Sequence, residues 1–259
     1  MTTGGRIKRM VGIVGGVGSY AGIDLIKKIY DSTEATSDQD HLPVMMLSAP
    51  HKILDRTRYL LGEINENPGF AIAEVISVLC HNGAKIIGIP CNTAHSPRIF
   101  DEIRRMVPRD CMLLHMVEEV GDHIVNYYPG LKRVGVLCTN GTYHSNVYGE
   151  ILSRFGIDVI YPPVDIQYAF VHRAIYDPRY GIKAKSNPVT TRAKEELMMA
   201  ALYLSEVGAE VIVLGCTEIP LAIQESNIGT ASVIDATSVL AQALIRESTS
   251  EGRHKPLFA

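Results

Sequence analysis

Two cysteines occupy matched positions in this sequence. Cys91 lies in IPCNTAHS and Cys216 in LGCTEIPL. Each closes a segment that opens with Gly-Ala, passes a charged residue and runs through an apolar stretch: GAKIIGIPCNT (83–93) and GAEVIVLGCTE (208–218). The Gly-to-Cys distance is eight residues in both copies, and the two cysteines are 125 residues apart. A second pair of segments, RMVGIVGGVGS (9–19) and KRVGVLCTNGT (132–142), recurs with Val11 and Val134 123 residues apart. Two motifs at nearly one offset imply one structural unit made twice. If each cysteine ends a parallel strand, it sits where open α/β sheets bind ligands. Two thiols facing one ligand from opposite sides suit one task well. One thiolate removes a proton from carbon, the other thiol returns a proton on the opposite face, and the product is the mirror image.

That chemistry needs supporting groups. The small polar residues after each cysteine, Asn92, Thr93 and Thr217, offer backbone amides that favour a thiolate and bind anions. A carbon acid next to a carboxylate is weak, so cations must stabilise the carbanionic state. Arg56 in LDRTRYLL and Lys183 in YGIKAK are the candidates. The other three cysteines, Cys80, Cys111 and Cys138, have no repeat partner and read as core, Cys80 on the apolar face of a helix. Five cysteines in 259 residues do not form a disulfide framework, which points to a reducing compartment. No C-x-x-C pair or clustered histidine set suggests a metal. His95 follows Cys91 by four residues and could meet it on a helix. A structural or orienting role outweighs a Cys–His nucleophile pair. Gly16-x-Gly18-x-x-Ala21 matches a dinucleotide fingerprint. The acidic residue that should close a second strand is missing, because Asp38 and Asp40 precede the strand at 44–49.

The elements that would hold these residues alternate. Apolar strands are expected at 10–15, 44–49, 85–90, 133–138, 158–162 and 210–215. Helices are expected at 20–32, 69–82, 144–155 and 191–206, with another opened by Ser96-Pro97 and running through Met106. Gly83 is the C-terminal stop of the second helix. Near-continuous apolar strands alternating with helices mean parallel α/β sheets. Hydrophobic residues make up 46% and the net charge is −3, so the chain can build a core and lacks the basic excess of a nucleic-acid binder. No uncharged apolar run reaches the ~18–20 residues that cross a bilayer. The basic RIKR followed by VGIVGGVGSYAGI imitates a signal peptide, but it is glycine-rich and leads into an amphipathic helix. A cytoplasmic enzyme without a membrane partner is expected. The tail 251–259 reads as a frayed end or a packing arm.

GIVGGVGS, DRT at 55–57, PCNTAH at 90–95, T-x-G-T at 139–142, the lysine of GIKA at 181–184 and GCTEIPL at 215–221 together resemble the aspartate/glutamate racemase superfamily. The branch they are most similar to is the cofactor-independent aspartate racemases. The resemblance spans residues 10 to about 245. It implies two pseudo-symmetric α/β domains with the active site in the cleft between them, and a homodimer. By motif, Cys91 and Cys216 would be the two catalytic bases. Asn92, Thr93, Thr139, Thr142 and Thr217 would hold the α-carboxylate and amino group, and Arg56 and Lys183 would engage carboxylates. Glu218 stands where glutamate racemases commonly carry a His, which favours aspartate over glutamate. Val17, Ser19 and His51 depart from the family pattern, and DPRY (177–180) is an extra loop before Lys183. The expected domains are 1–115 plus 226–259, carrying Cys91, and 116–225, carrying Cys216. The expected activity is PLP-independent racemisation of aspartate or glutamate, with no metal or cofactor. The competing readings are maleate cis–trans isomerisation on the same scaffold and a non-catalytic amino-acid-binding protein.

Overall fold

A computed structural model describes residues 8–250; the tail at 251–259 lies outside the described residues. The first sheet has four strands in the order β2-β1-β3-β4: β1 (Val11–Gly15), β2 (Val44–Ser48), β3 (Ile86–Gly88) and β4 (Met112–Leu113). All its pairings are parallel. The second sheet has five strands in the order β6-β5-β7-β9-β8: β5 (Arg133–Cys138), β6 (Asp158–Ile160), β7 (Val211–Gly215), β8 (Asn227–Ile228) and β9 (Ala231–Asp235). Only the short β8 runs antiparallel. The α/β class and the pair of parallel sheets are as the sequence implies.

The internal repeat is present at the level of register. Val11 pairs with Ile86 and Gly12 with Ile87; 123 and 125 residues on, Val134 pairs with Val211 and Gly135 with Ile212. The glycines explain why the motif carries V-G. A Cβ on Gly12 would sit 2.8 Å from Ala84 Cβ and 3.4 Å from Leu79 Cβ. A Cβ on Gly135 would sit 3.0 Å from Ala209 Cβ and 3.1 Å from Leu204 Cβ. In each unit the helix before the strand therefore packs directly on the central strand: α3 (Gly69–His81) in the first and α10 (Thr191–Glu206) in the second.

Alternation along these strands divides the core into three layers. Val11, Ile13, Ile86, Val134, Val136, Val211 and Val213 enter a central cluster shared by both units. Val14, Ile87 and Ile89 face an outer cluster beside α3 that also holds Cys91. Leu137, Ile212 and Leu214 face the opposite outer cluster, beside α10, that also holds Cys216. Each fully buried Ile, Leu or Val contributes roughly 1.5–3 kcal/mol. The central layer thus binds the units into one body rather than two domains joined by a linker.

Several expectations change. The second unit does not end near residue 225, because β8 and β9 complete its sheet. The chain returns to the first unit only with α11 (Ala236–Thr249), whose Leu244 packs against Gly88 of β3. Asp235 marks the crossing: it caps α11 and pairs with Lys28 of α1 (Ser19–Asp31) at 2.7 Å. The expected helix at 144–155 is two helices, α6 (Asn140–Ser145) and α7 (Val147–Ser153), broken at Asn146, whose φ of 51° is left-handed. Ser96 precedes α4 (Pro97–Met106), but its hydroxyl bonds Ser145 at 2.9 Å instead of capping the helix. Cys80 and Cys111, expected as separate core thiols, are joined as a disulfide with Cα atoms 6.4 Å apart. Both are buried, and Cys138 stays a free core thiol. No helix of the described residues is long and apolar enough to cross a membrane.

Candidate active site

Cys91 follows β3 and Cys216 follows β7, so each thiol leaves the C-terminal end of the strand beside its sheet's first repeat strand. Both are buried, at 6% and 5% exposure. After Cys91 the chain tightens into a 3-10 turn over Asn92–His95.

The two loops meet on one seam. Thr57 and Thr93 of the first unit form a hydroxyl cluster with Thr139 and Thr142 of the second: Thr57–Thr139 3.2 Å, Thr93–Thr139 3.1 Å and Thr93–Thr142 2.9 Å. Gly141 makes this approach feasible, because a Cβ there would lie 2.8 Å from Thr57 Cα. Thr139 also caps α6 by accepting the Thr142 amide. The Thr217 hydroxyl donates to Pro90 O at 3.1 Å, and Tyr148 OH donates to Asn92 Oδ1 at 2.6 Å. Of the residues expected from the sequence, Asn92, Thr93, Thr139, Thr142 and Thr217 thus make contacts at the seam, and Thr217 spends its hydroxyl on tying the units together.

Two buried donors in this seam have no protein partner: Asn92 Nδ2 and Arg56 Nε. A buried donor left unpaired costs about 1–3 kcal/mol, so such groups mark the place of a polar ligand.

The charges around the thiols differ. Arg56 opens the short helix α2 (Arg56–Leu60) and is 6% exposed. It donates to Val17 O at 2.6 Å and Leu54 O at 3.2 Å, and Cys91 acts on it electrostatically. Burial works against its charge, but Cys91, Tyr176 and Asp55 around it more than offset that and raise its pKa. Glu218 stands beside Cys216. Its Oε2 accepts from Cys216 Sγ at 3.0 Å and its Oε1 from Lys183 Nζ at 2.5 Å. Burial and then this carboxylate push the Cys216 thiol well above the usual range. Burial would raise Glu218, yet Lys183 and the Cys216 thiol hold it below its ordinary value. Lys183 is raised in turn, burial being outweighed by Glu218, Tyr176 and Cys216. The extra loop delivers it: Ile182 and Lys183 amides donate back to Ala174 and Ile175.

His95 is not a partner of the Cys91 sulfur. Its Nδ1 lies 2.9 Å from the Cys91 carbonyl, and burial lowers its pKa to about 4. The glycine turn does not suit a phosphate either, because a Cβ on Gly18 would lie 2.6 Å from Glu218 Oε1, a negative group. Among the unusual positions, Ser19 and His51 are exposed and Val17 is buried core, with only its carbonyl reaching Arg56.

A match to the Asp/Glu/hydantoin racemase family runs from residue 14 to residue 244. The chain belongs to that family. Racemases are isomerases, and this family acts on small substrates. The chain is 27% identical over 242 residues to the broad-specificity amino-acid racemase RacX of Bacillus subtilis, covering 91% of this chain and 96% of that one. It superposes on the aspartate racemase of Picrophilus torridus with a TM-score of 0.75 and 29% identity, over 93% of this chain and 94% of that one. The glutamate racemase of Francisella tularensis shares the fold, with a TM-score of 0.66 at 16% identity over 97% and 86% of the two chains.

Within this racemase, sequence reasoning left four residues of the seam without a role: Asp55, Thr57, Tyr148 and Tyr176. The first two lie in the DRT motif and were visible there. Tyr176 OH donates to Asp55 Oδ2 at 2.9 Å and lies 3.1 Å from Thr57 Oγ1, while its ring packs under Lys183 Nζ at 5.3 Å. It reaches this place through a helical run, α8 (Val164–Ile166), a π-helical turn Gln167–His172 and α9 (Arg173–Tyr176). Buried Gln167 anchors that turn by donating to Cys138 O at 2.9 Å and Asn140 Oδ1 at 3.0 Å. No local pattern signals such a placement.

Proposed function

We propose that this family member racemises an amino acid, with aspartate as substrate, by two-base proton transfer between Cys91 and Cys216 and without PLP. The observation that carries the reading is that both buried thiols follow equivalent strand ends and that their loops meet through the Thr217–Pro90 bond. The thiolate of one cysteine takes the α-proton, and its S–H bond forms as the C–H bond breaks. The electron pair left on carbon delocalises into the α-carboxylate. The other thiol then gives its proton to the opposite face, which leaves the enzyme with the charge moved from one sulfur to the other. Asn92 Nδ2 and Arg56 Nε, the unpaired donors, would take the α-carboxylate, and the threonine cluster would orient the ammonium group. Lys183 would face the distal carboxylate beside Glu218. Aspartate is favoured by the similarity to the Picrophilus torridus aspartate racemase, whose length the chain covers almost fully. The proposal includes a homodimer, which light scattering on the purified protein tests.

The enzymatic test is incubation of each aspartate enantiomer in deuterated water without PLP, followed by chiral chromatography and mass spectrometry. Inversion with one deuterium at Cα is expected. Full activity in Cys91→Ala or Cys216→Ala overturns the two-base reading.

A further inference from the structure

The repeat breaks at one position that touches the chemistry. Residues 83–93 map onto 208–218, so Cys91 answers to Cys216 and Thr93 to Glu218. A neutral hydroxyl thus stands in the first unit where a carboxylate stands in the second. Glu218 is 4% exposed and held from three sides. Cys216 Sγ donates to Oε2 at 3.0 Å, Lys183 Nζ donates to Oε1 at 2.5 Å, and the Gly18 turn of the other unit closes over Oε1 so tightly that a Cβ there would approach to 2.6 Å. The carboxylate therefore cannot swing away from the thiol without breaking the Lys183 pair. On the other side of the seam the charged group near Cys91 is the Arg56 guanidinium, and the two interact electrostatically.

We infer that Glu218 is the positioning residue that keeps the resting proton on Cys216, so that Cys91 is the base of the resting enzyme. The physical reason is the sign of the nearest charge. A thiol on Cys216 donates to the carboxylate; a thiolate there would face it as a like charge at hydrogen-bond distance. The groups facing Cys216 are Glu218, Lys183 and the buried phenol Tyr148, and Lys183 is already engaged by Glu218. On the racemase reading, on which this rests, the resting enzyme accepts the enantiomer whose α-hydrogen faces Cys91. Two enantiomers have an equilibrium constant of one, so kcat/KM must be equal in the two directions. The bias therefore shows only in kcat and KM taken separately.

Site-resolved alkylation of the folded full chain with iodoacetamide at neutral pH, read by peptide mass spectrometry, tests this without turnover. Cys91 should be modified faster than Cys216 in the unmodified sequence, the two being equally buried. In Glu218→Gln the Cys216 rate should rise about threefold for each unit its thiol pKa falls: the thiolate fraction gains tenfold, and lower basicity takes back part of it. The Cys91 rate should not move, and Glu218→Asp should keep the original order. A Cys216 rate equal to or above that of Cys91 in the unmodified chain overturns the inference, as does an unchanged Cys216 rate in folded Glu218→Gln. If that variant does not fold, the order in the unmodified chain decides. A correct thiol order with no α-hydrogen exchange in any amino acid would remove the racemase reading and leave the role of Glu218 standing. Racemisation with the thiol order reversed would remove only the role of Glu218.

Discussion

In the first unit Gly83 turns the chain at φ 100°, β3 follows, and Cys91 ends the passage beside Arg56. In the second unit Gly208 does the same at φ 92°, β7 follows, and Cys216 ends it beside Glu218. The backbones repeat even in the positive φ of a glycine, whereas the charges beside the sulfurs are opposite. Backbone equivalence places two sulfurs on one seam. On the two-base reading, charge inequivalence would favour one of the two protonation states at rest. A perfectly symmetric site would leave the two protonation states equal in energy and half the enzyme unready for either enantiomer.

This comparison can be broken most forcefully at the sulfurs. Cys91→Ser and Cys216→Ser should each lose racemisation by about a thousandfold or more, since a serine hydroxyl is a far weaker acid and base at neutral pH. Each should retain α-deuterium exchange with a different enantiomer, read by NMR in deuterated water; the same enantiomer in both would contradict opposed faces. Next comes Asn92→Ala, which removes the unpaired amide donor and one partner of Tyr148. A loss of ~10–100-fold in kcat/KM is expected, equivalent to about 1–3 kcal/mol; steady-state kinetics checks it.

His95 has no counterpart in the second unit and makes stability pH-dependent on one side. Burial holds its folded pKa at about 4, below the ordinary histidine value of 6.5. The unfolded chain therefore binds the extra proton first. The stability it contributes is present above pH 6.5 and is lost as pH falls toward 4. At pH 5 the loss should be about 2 kcal/mol in urea unfolding. Half-buried His115, also lowered by desolvation, adds in the same direction. His95→Gln should flatten the dependence.

The paired glycines sharpen the comparison further. Gly12→Ala and Gly135→Ala both force a Cβ into a neighbouring alanine Cβ, at 2.8 and 3.0 Å. Each should cost about 1–3 kcal/mol by overpacking, in similar measure; thermal unfolding of the pair reads any inequality. The smallest effect is expected for Thr217→Val, which removes the bond to Pro90 O across the seam and should cost about 1 kcal/mol.

The strands from Val11 to Gly215 other than the two-residue Met112–Leu113, the helices at 69–81 and 191–206, and the matched positions of Cys91 and Cys216 were legible because they rest on local signals. Apolar period, glycine stops and a repeated motif are written within a dozen residues. The stretch from 226 to 249 was not. Its strands Asn227–Ile228 and Ala231–Asp235 are short, and which sheet they join depends on an edge of β7 that lies far away in sequence. Arg56 and Lys183 were legible as cations but not as neighbours of particular groups. Lys183 meets Glu218, 35 residues on, only because the loop after Tyr176 folds back on α9.

By itself, then, the chain's sequence determined a doubled α/β unit and two sulfurs at corresponding strand ends, because local backbone and burial preferences repeat wherever the same residues repeat. Only the tertiary structure decided the electrostatics of those sulfurs. Coulomb interactions depend on distances between side chains from separate segments, and it is the fold that brings Arg56 near Cys91 and Lys183 to the Glu218 beside Cys216.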